Sequence, residues 1–124
     1  MADLRVTVDE LELEANWTDD APETRRAVED AIPLSGDAVR WGEELYFDVP
    51  VDAPAENARE AVPEGTIAYW PLGSKLCLFW GETPASVDGE PRAASPVNVV
   101  ARLSDTSALE ELDGGARVRL EQLG

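Results

Sequence analysis

The sequence predicts a mainly β protein: one closed sheet of eight strands with one or two short helices, formed by residues 1–124 as a single domain. Three observations carry that prediction. About eight short segments show apolar residues at the period of two that a strand requires. Helical spacing is confined to two short stretches, "TDDAPETRRAVEDAIP" and "DTSALEEL". No internal repeat divides the 124 residues, a length that suits one core and leaves no room for a second. Closing the sheet removes the exposed edges that a sandwich would have to protect.

The elements follow in order. "LRVTVDELELEA" alternates through Leu4, Val6 and Val8, then Leu11 and Leu13, which predicts two strands joined by a tight turn at Asp9 and Glu10. In the next stretch Thr18 or an aspartate can cap a helix, Pro22 suits its first turn and Glu23 complements its dipole. Ala27, Val28 and Ala31 or Ile32 make one apolar stripe, and Pro33 ends it. From Leu34 the pattern returns to strands, and "ELYFDV" places Leu45, Phe47 and Val49 opposite Tyr46 and Asp48. "PVDAPAENAREAVPEG" is proline-rich and polar and reads as a long excursion. "TIAYW" and "KLCLFW" are strands separated by the turn "PLGS". "GETPASVDGEPRAASP" is a second long loop, "VNVVARL" a strand, "DTSALEEL" a short helix capped by Asp105, and "ARVRLEQL" the closing strand. Structureless segments of such length in a small domain are often functional.

Composition excludes several functions. Asp and Glu total 26 against 10 Lys and Arg, a net charge of −16, and the only lysine is Lys75. Such a surface repels phosphates and anionic lipid, so neither nucleic acid nor membrane is an expected partner. The acid excess reads as halophilic adaptation to a salt-rich cytoplasm, because self-repulsion is screened when the Debye length falls to roughly 3 Å at molar salt. "MADLRVTVDE" has neither a basic start nor an apolar run, so no signal peptide is expected and the localisation is read as cytoplasmic. A single cysteine fits a reducing compartment. "NWT" at 16–18 matches a glycosylation pattern that means little without secretion.

With no histidine anywhere, histidine-based nucleophile activation, acid–base chemistry and metal ligation are unavailable. No cofactor and no metal are expected. Cys77 lies on an apolar strand and reads as core. Adjacent acid pairs at 19–20, 43–44 and 110–111 arise from composition alone. "PLGSK" lacks the spacing and the following helix of a phosphate loop, and Lys75 reads as a solvated turn residue.

The aromatics are the informative signal. Four of the eight sit in "AYWPLGSKLCLFWG" at 68–81. Ile67 and Tyr69 share one strand face and Trp70 takes the other, while Leu76, Leu78 and Trp80 oppose Cys77 and Phe79. Both faces are therefore apolar, and filling a barrel accounts for only one. The other is covered by a helix or loop, or it lines a groove with Trp41, Tyr46, Trp70 and Phe79 as walls. Arg40, Thr83, Ser86, Arg92, Ser95 and Asn98 are the polar groups available to such a groove.

At "RWGEELYFDVPV", "GTIAYWPLGSKLCLFWGETPAS" and "ASPVNVVARL" the sequence resembles the cyclophilin-like family of small, mostly uncharacterised bacterial and archaeal proteins. The likeness runs from about Ile32 to Leu103 and implies an eight-stranded cyclophilin-type barrel capped by helices. It does not imply isomerase activity. True cyclophilins polarise the prolyl amide with an arginine, beside aromatic and apolar walls and a histidine. Here the histidine position holds Asn98, and Arg40 is the nearest counterpart of the arginine. The expected function is binding of a small molecule or extended peptide in an aromatic-lined cleft. The alternatives are a weak or atypical peptidyl-prolyl isomerase, and an assembly module acting through its acidic surface. The sequence sets no oligomeric state.

Overall fold

The computed structural model describes residues 2–112 and 114–123. Strands β1 (Leu4–Val8) and β2 (Leu11–Trp17) form the expected hairpin, turned at Asp9 with a φ of 54°. Helix α1 (Pro22–Ala31) follows, then β3 (Leu34–Arg40), β4 (Glu44–Asp48), β5 (Arg59–Ala61), β6 (Thr66–Trp70), β7 (Lys75–Phe79) and β8 (Arg92–Leu103). A 3-10 helix (Ser107–Glu111) leads into β9 (Ala116–Gln122).

Eight strands close into an antiparallel ring in the order β2-β1-β9-β3-β4-β7-β6-β8, with β2 and β8 meeting from Ala15 opposite Leu103 to Trp17 opposite Ala101. The ninth, β5, pairs with the outer half of β8. Two boundaries differ from the sequence expectation. The proline-rich excursion contains β5, whose three residues are all exposed and carry no apolar alternation; only its pairing to β8 makes it a strand. The second loop is shorter than expected, because β8 already begins at Arg92. Pro96 is tolerated there because this half of β8 has the short β5 as its only strand partner among the described residues.

Period-two alternation sorts the side chains. Leu4, Val6, Leu45, Phe47, Ile67, Tyr69, Leu76, Leu78, Val118 and Leu120 point into the ring and pack as one core. On the outside of the same strands a second cluster forms from Val62, Ala68, Cys77, Phe79, Ala93, Val97 and Val99. Covering that outer face is the task of β5 and the first half of β8.

Helix α1 packs on β8, burying Thr24 and Val28. Its cap is not the one expected. Ala21 occupies the cap position, and the hydroxyl of Thr18 is buried without a partner among the described residues. The cap comes instead from Glu56, in the excursion before β5: its carboxylate accepts the Glu23 N–H at 3.1 Å and both the N–H and hydroxyl of Thr24 at 2.8 Å. A residue 32 positions away thus satisfies orphan donors of the first turn. Asp105 does serve the 3-10 helix, accepting the Ser107 N–H at 2.9 Å. Among the described residues no helix is long and apolar enough to cross a membrane.

Candidate functional site

On the outer face the cross-strand register sets three strands side by side. Tyr46 of β4 stands opposite Cys77 of β7, which stands opposite Ala68 of β6; one step along, Asp48 faces Lys75 and Lys75 faces Trp70. Glu44 lies on the same face as Tyr46, diagonal to Cys77. Trp41 arrives from the turn between β3 and β4, and Ala93, Ser95 and Val97 from β8. Together they enclose a cavity of about 410 Å³, lined mainly by apolar atoms. Trp41, Tyr46 and Trp70 are each half-buried, as rings that wall a cavity must be.

Two glycines hold the aromatic walls in place. Gly42, in the Trp41 turn, has a φ of +63°, and an added Cβ would lie 2.8 Å from the Thr83 backbone, so only glycine lets this turn seat against the loop after β7. Gly73, in the "PLGS" turn, packs on the Trp70 indole; a Cβ there would come within 2.7 Å of the ring. The Trp70 indole N–H donates to the Ser95 hydroxyl. Its polar edge is therefore spent on β8, and its orientation is set from two sides.

The floor is polar. Glu44 is only 5% exposed. Burial pushes its carboxyl up to about 7, against a smaller downward pull from the hydrogen bond with the Cys77 thiol. Cys77 is itself driven well above its ordinary range by burial and by the adjacent Glu44, with Lys75 pulling weakly the other way. The thiol thus stays protonated near neutral pH and is a poor nucleophile. Lys75 is not the solvated turn residue expected from sequence. It begins β7, lines the cavity, pairs with Asp48 and lies 5.8 Å from the centre of the Tyr46 ring.

Of the ten groove residues proposed from sequence, the cavity gathers Trp41, Tyr46, Trp70 and Ser95. The other six do not line it. Phe79 is fully buried in the outer cluster. Thr83 and Ser86 staple the loop after β7 to itself: the Thr83 hydroxyl donates to the Arg92 carbonyl at 2.5 Å, and Ser86 accepts the Thr83 N–H at 2.9 Å. Arg92, also named, forms ion pairs with Glu90 and Glu60. Asn98 points the other way, toward α1: its amide donates to the Thr24 hydroxyl at 3.0 Å and the Pro54 carbonyl at 2.9 Å, and it accepts the Glu56 N–H. Arg40 is bound up at the end of β3, donating to the carbonyls of Gly42 and Leu112 with its guanidinium 5.4 Å from the Trp80 ring. No arginine lines the cavity among the described residues.

Sequence reasoning missed Glu44 and Cys77 as neighbours. The signal was available: in "EELYF" Glu44 shares the parity of Tyr46, so a groove facing Tyr46 had to include it.

The family model described as Cyclophilin-like matches residues 2–121 of this chain. A hypothetical protein of Archaeoglobus fulgidus, solved in solution, is similar at 38% identity and a TM-score of 0.81, over 98% of this chain and 95% of that one. The search of curated proteins finds no match.

Proposed function

The chain belongs to the cyclophilin-like family, and from that premise we propose that it is a binding protein that takes a small molecule or a short extended peptide in the cavity outside the ring. One observation carries the reading. The inner faces of β4, β6 and β7 are filled completely, whereas on their outer faces three half-buried aromatic rings surround an apolar space of about 410 Å³. That size suits a small-molecule site. Prolyl isomerisation is not part of the reading, because Arg40 is committed to backbone carbonyls and Asn98 to the helix. The setting we propose is a salt-rich cytoplasm, supported by the 26 acids against 10 bases.

Trp70→Ala tests the function. As a half-buried wall, its loss should cost less than the roughly 3–5 kcal/mol of a fully interior tryptophan, so the variant folds. Small molecules that co-purify with the native protein, identified by mass spectrometry, should be absent from the variant. Equal retention by both proteins would overturn the cavity as the binding site.

A further inference from the structure

Buried carboxylates are ordinarily paired with a cation or saturated by donors. Glu44 has neither. Among the described residues the Cys77 thiol is the one donor that reaches its carboxyl, and a thiol is a weak one. The titratable and charged groups around it are few. Tyr46 shares its strand; on β7 Cys77 lies diagonal to it, while Lys75, at the far end of the same cavity, stands opposite Asp48; β6 and the β8 segment contribute Trp70, Ala93, Ala94, Ser95 and Val97, none of them charged. Lys75 is already held by Asp48. What the site lacks is a positive charge, and three aromatic rings stand round the space where one would sit.

Aromatic faces attract cations through the ring quadrupole, most strongly when water is excluded and when the cation is weakly hydrated, as alkylated ammonium is. The Lys75 ammonium already lies 5.8 Å from the Tyr46 ring, so this wall accepts positive charge within the molecule itself. We infer that the cavity is a receptor for a small organic cation of the quaternary or tertiary ammonium class, held by Trp41, Tyr46 and Trp70 and neutralised by the Glu44 carboxylate. The inference rests on the binding reading above and names its ligand class.

A consequence is proton linkage. Empty, the Glu44 carboxyl keeps its proton up to about pH 7. A cation beside it favours the ionised form, so binding expels one proton below that pH, and affinity rises as pH climbs through neutrality.

The test compares choline with its uncharged isostere 3,3-dimethylbutan-1-ol on the native protein, in molar sodium chloride to screen non-specific attraction to surface acids. Affinities are read by ligand-observed NMR at about pH 5.5 and about pH 8.5, on either side of the linked proton. At the higher pH choline should bind about tenfold or more tighter than the isostere, and its affinity should fall by a similar factor at the lower pH. Glu44→Gln should erase the pH dependence and shrink the preference to the part the aromatic rings supply, while leaving weak binding of the isostere. Equal, pH-independent binding of the two ligands would overturn the cation assignment and leave the apolar cavity standing. Binding of neither would also overturn it, with the general binding reading then decided separately by the co-purification measurement.

Discussion

Glu44 and Glu56 are the same residue put to opposite uses. Glu56 sits in the excursion before β5 and meets three donors from the first turn of α1. Desolvation pushes its carboxyl upward, but the hydrogen bonds from Thr24 and Glu23 outweigh that and hold it below the ordinary glutamate range. Glu44 sits under an aromatic cavity with a thiol for company, and burial wins. Around Glu56 the polar groups are interlocked: Asn98 binds Thr24, Pro54 and Glu56, and Asn57 donates to the Asp20 carbonyl at 2.7 Å. That region is complete as it stands. The difference teaches where to look for function in a chain with so many acids: not where carboxylates cluster, but where one is buried beside space with its bonding unfinished.

The largest effect is expected from breaking the completed region. Asn98→Leu preserves volume but removes three hydrogen bonds and strands their partners, which should cost on the order of 4 kcal/mol in denaturant unfolding. The cavity is built on the opposite face, so the folded fraction should keep its ligand. A neutral substitution would mean that the network merely decorates the joint between α1 and the excursion.

The next effect separates the two glutamates by sign. The folded-state value of Glu44 lies above its unfolded value, so its contribution to stability is fully present below about pH 4.5 and is lost as pH rises to about 7. A shift from 4.5 to about 7 corresponds to about 3 kcal/mol over that window. Glu56 acts in reverse: its value is lowered on folding, so its contribution is present above the unfolded value and is lost as pH falls through the folded one. Urea midpoints measured across this range should show the native protein weakening from pH 4.5 toward 7, and Glu44→Gln losing that slope. Glu56→Gln should instead weaken the acid-side decline. Identical profiles for the native protein and Glu44→Gln would place the Glu44 carboxyl in water rather than under the cavity.

The smallest effect is a difference near zero. If the acid excess is salt adaptation, raising chloride from about 0.1 M to 2 M should lift the thermal midpoint by screening exposed carboxylates. Glu44 is one carboxyl among 26 acids and lies in the cavity rather than on the charged outer surface, so Glu44→Gln should rise nearly in parallel with the native protein. Divergence between the two curves would show that salt reaches the cavity floor.

Much of the fold was legible because it rests on local periodicity. Leu4, Val6 and Val8, the Pro22 start and Pro33 stop of α1, and the two apolar faces of "KLCLFW" are all written at short range, where side-chain direction follows from backbone geometry alone. β5 was not legible. Its exposed Arg59–Ala61 carries no pattern, and the strand exists only because β8 offers it unpaired backbone.

The site divides along the same line. Strand parity alone shows that β6 and β7 present apolar residues on both faces, with Trp70 opposite Ile67 and Tyr69; which of the two faces turns into the ring is set by the closure of the sheet. Only the tertiary structure decided which neighbours complete each face. It brought Trp41 and Ser95 to Trp70 across gaps of tens of residues, turned Asn98 toward Thr24 and away from the cavity, and set Glu44 diagonal to Cys77. The helix cap shows the same division, with Thr18 nearby in sequence and Glu56 chosen in space. The physical reason is that a strand's alternation is a property of its own backbone, whereas register, closure of the ring and the solvation of each buried carboxyl depend on which strands meet.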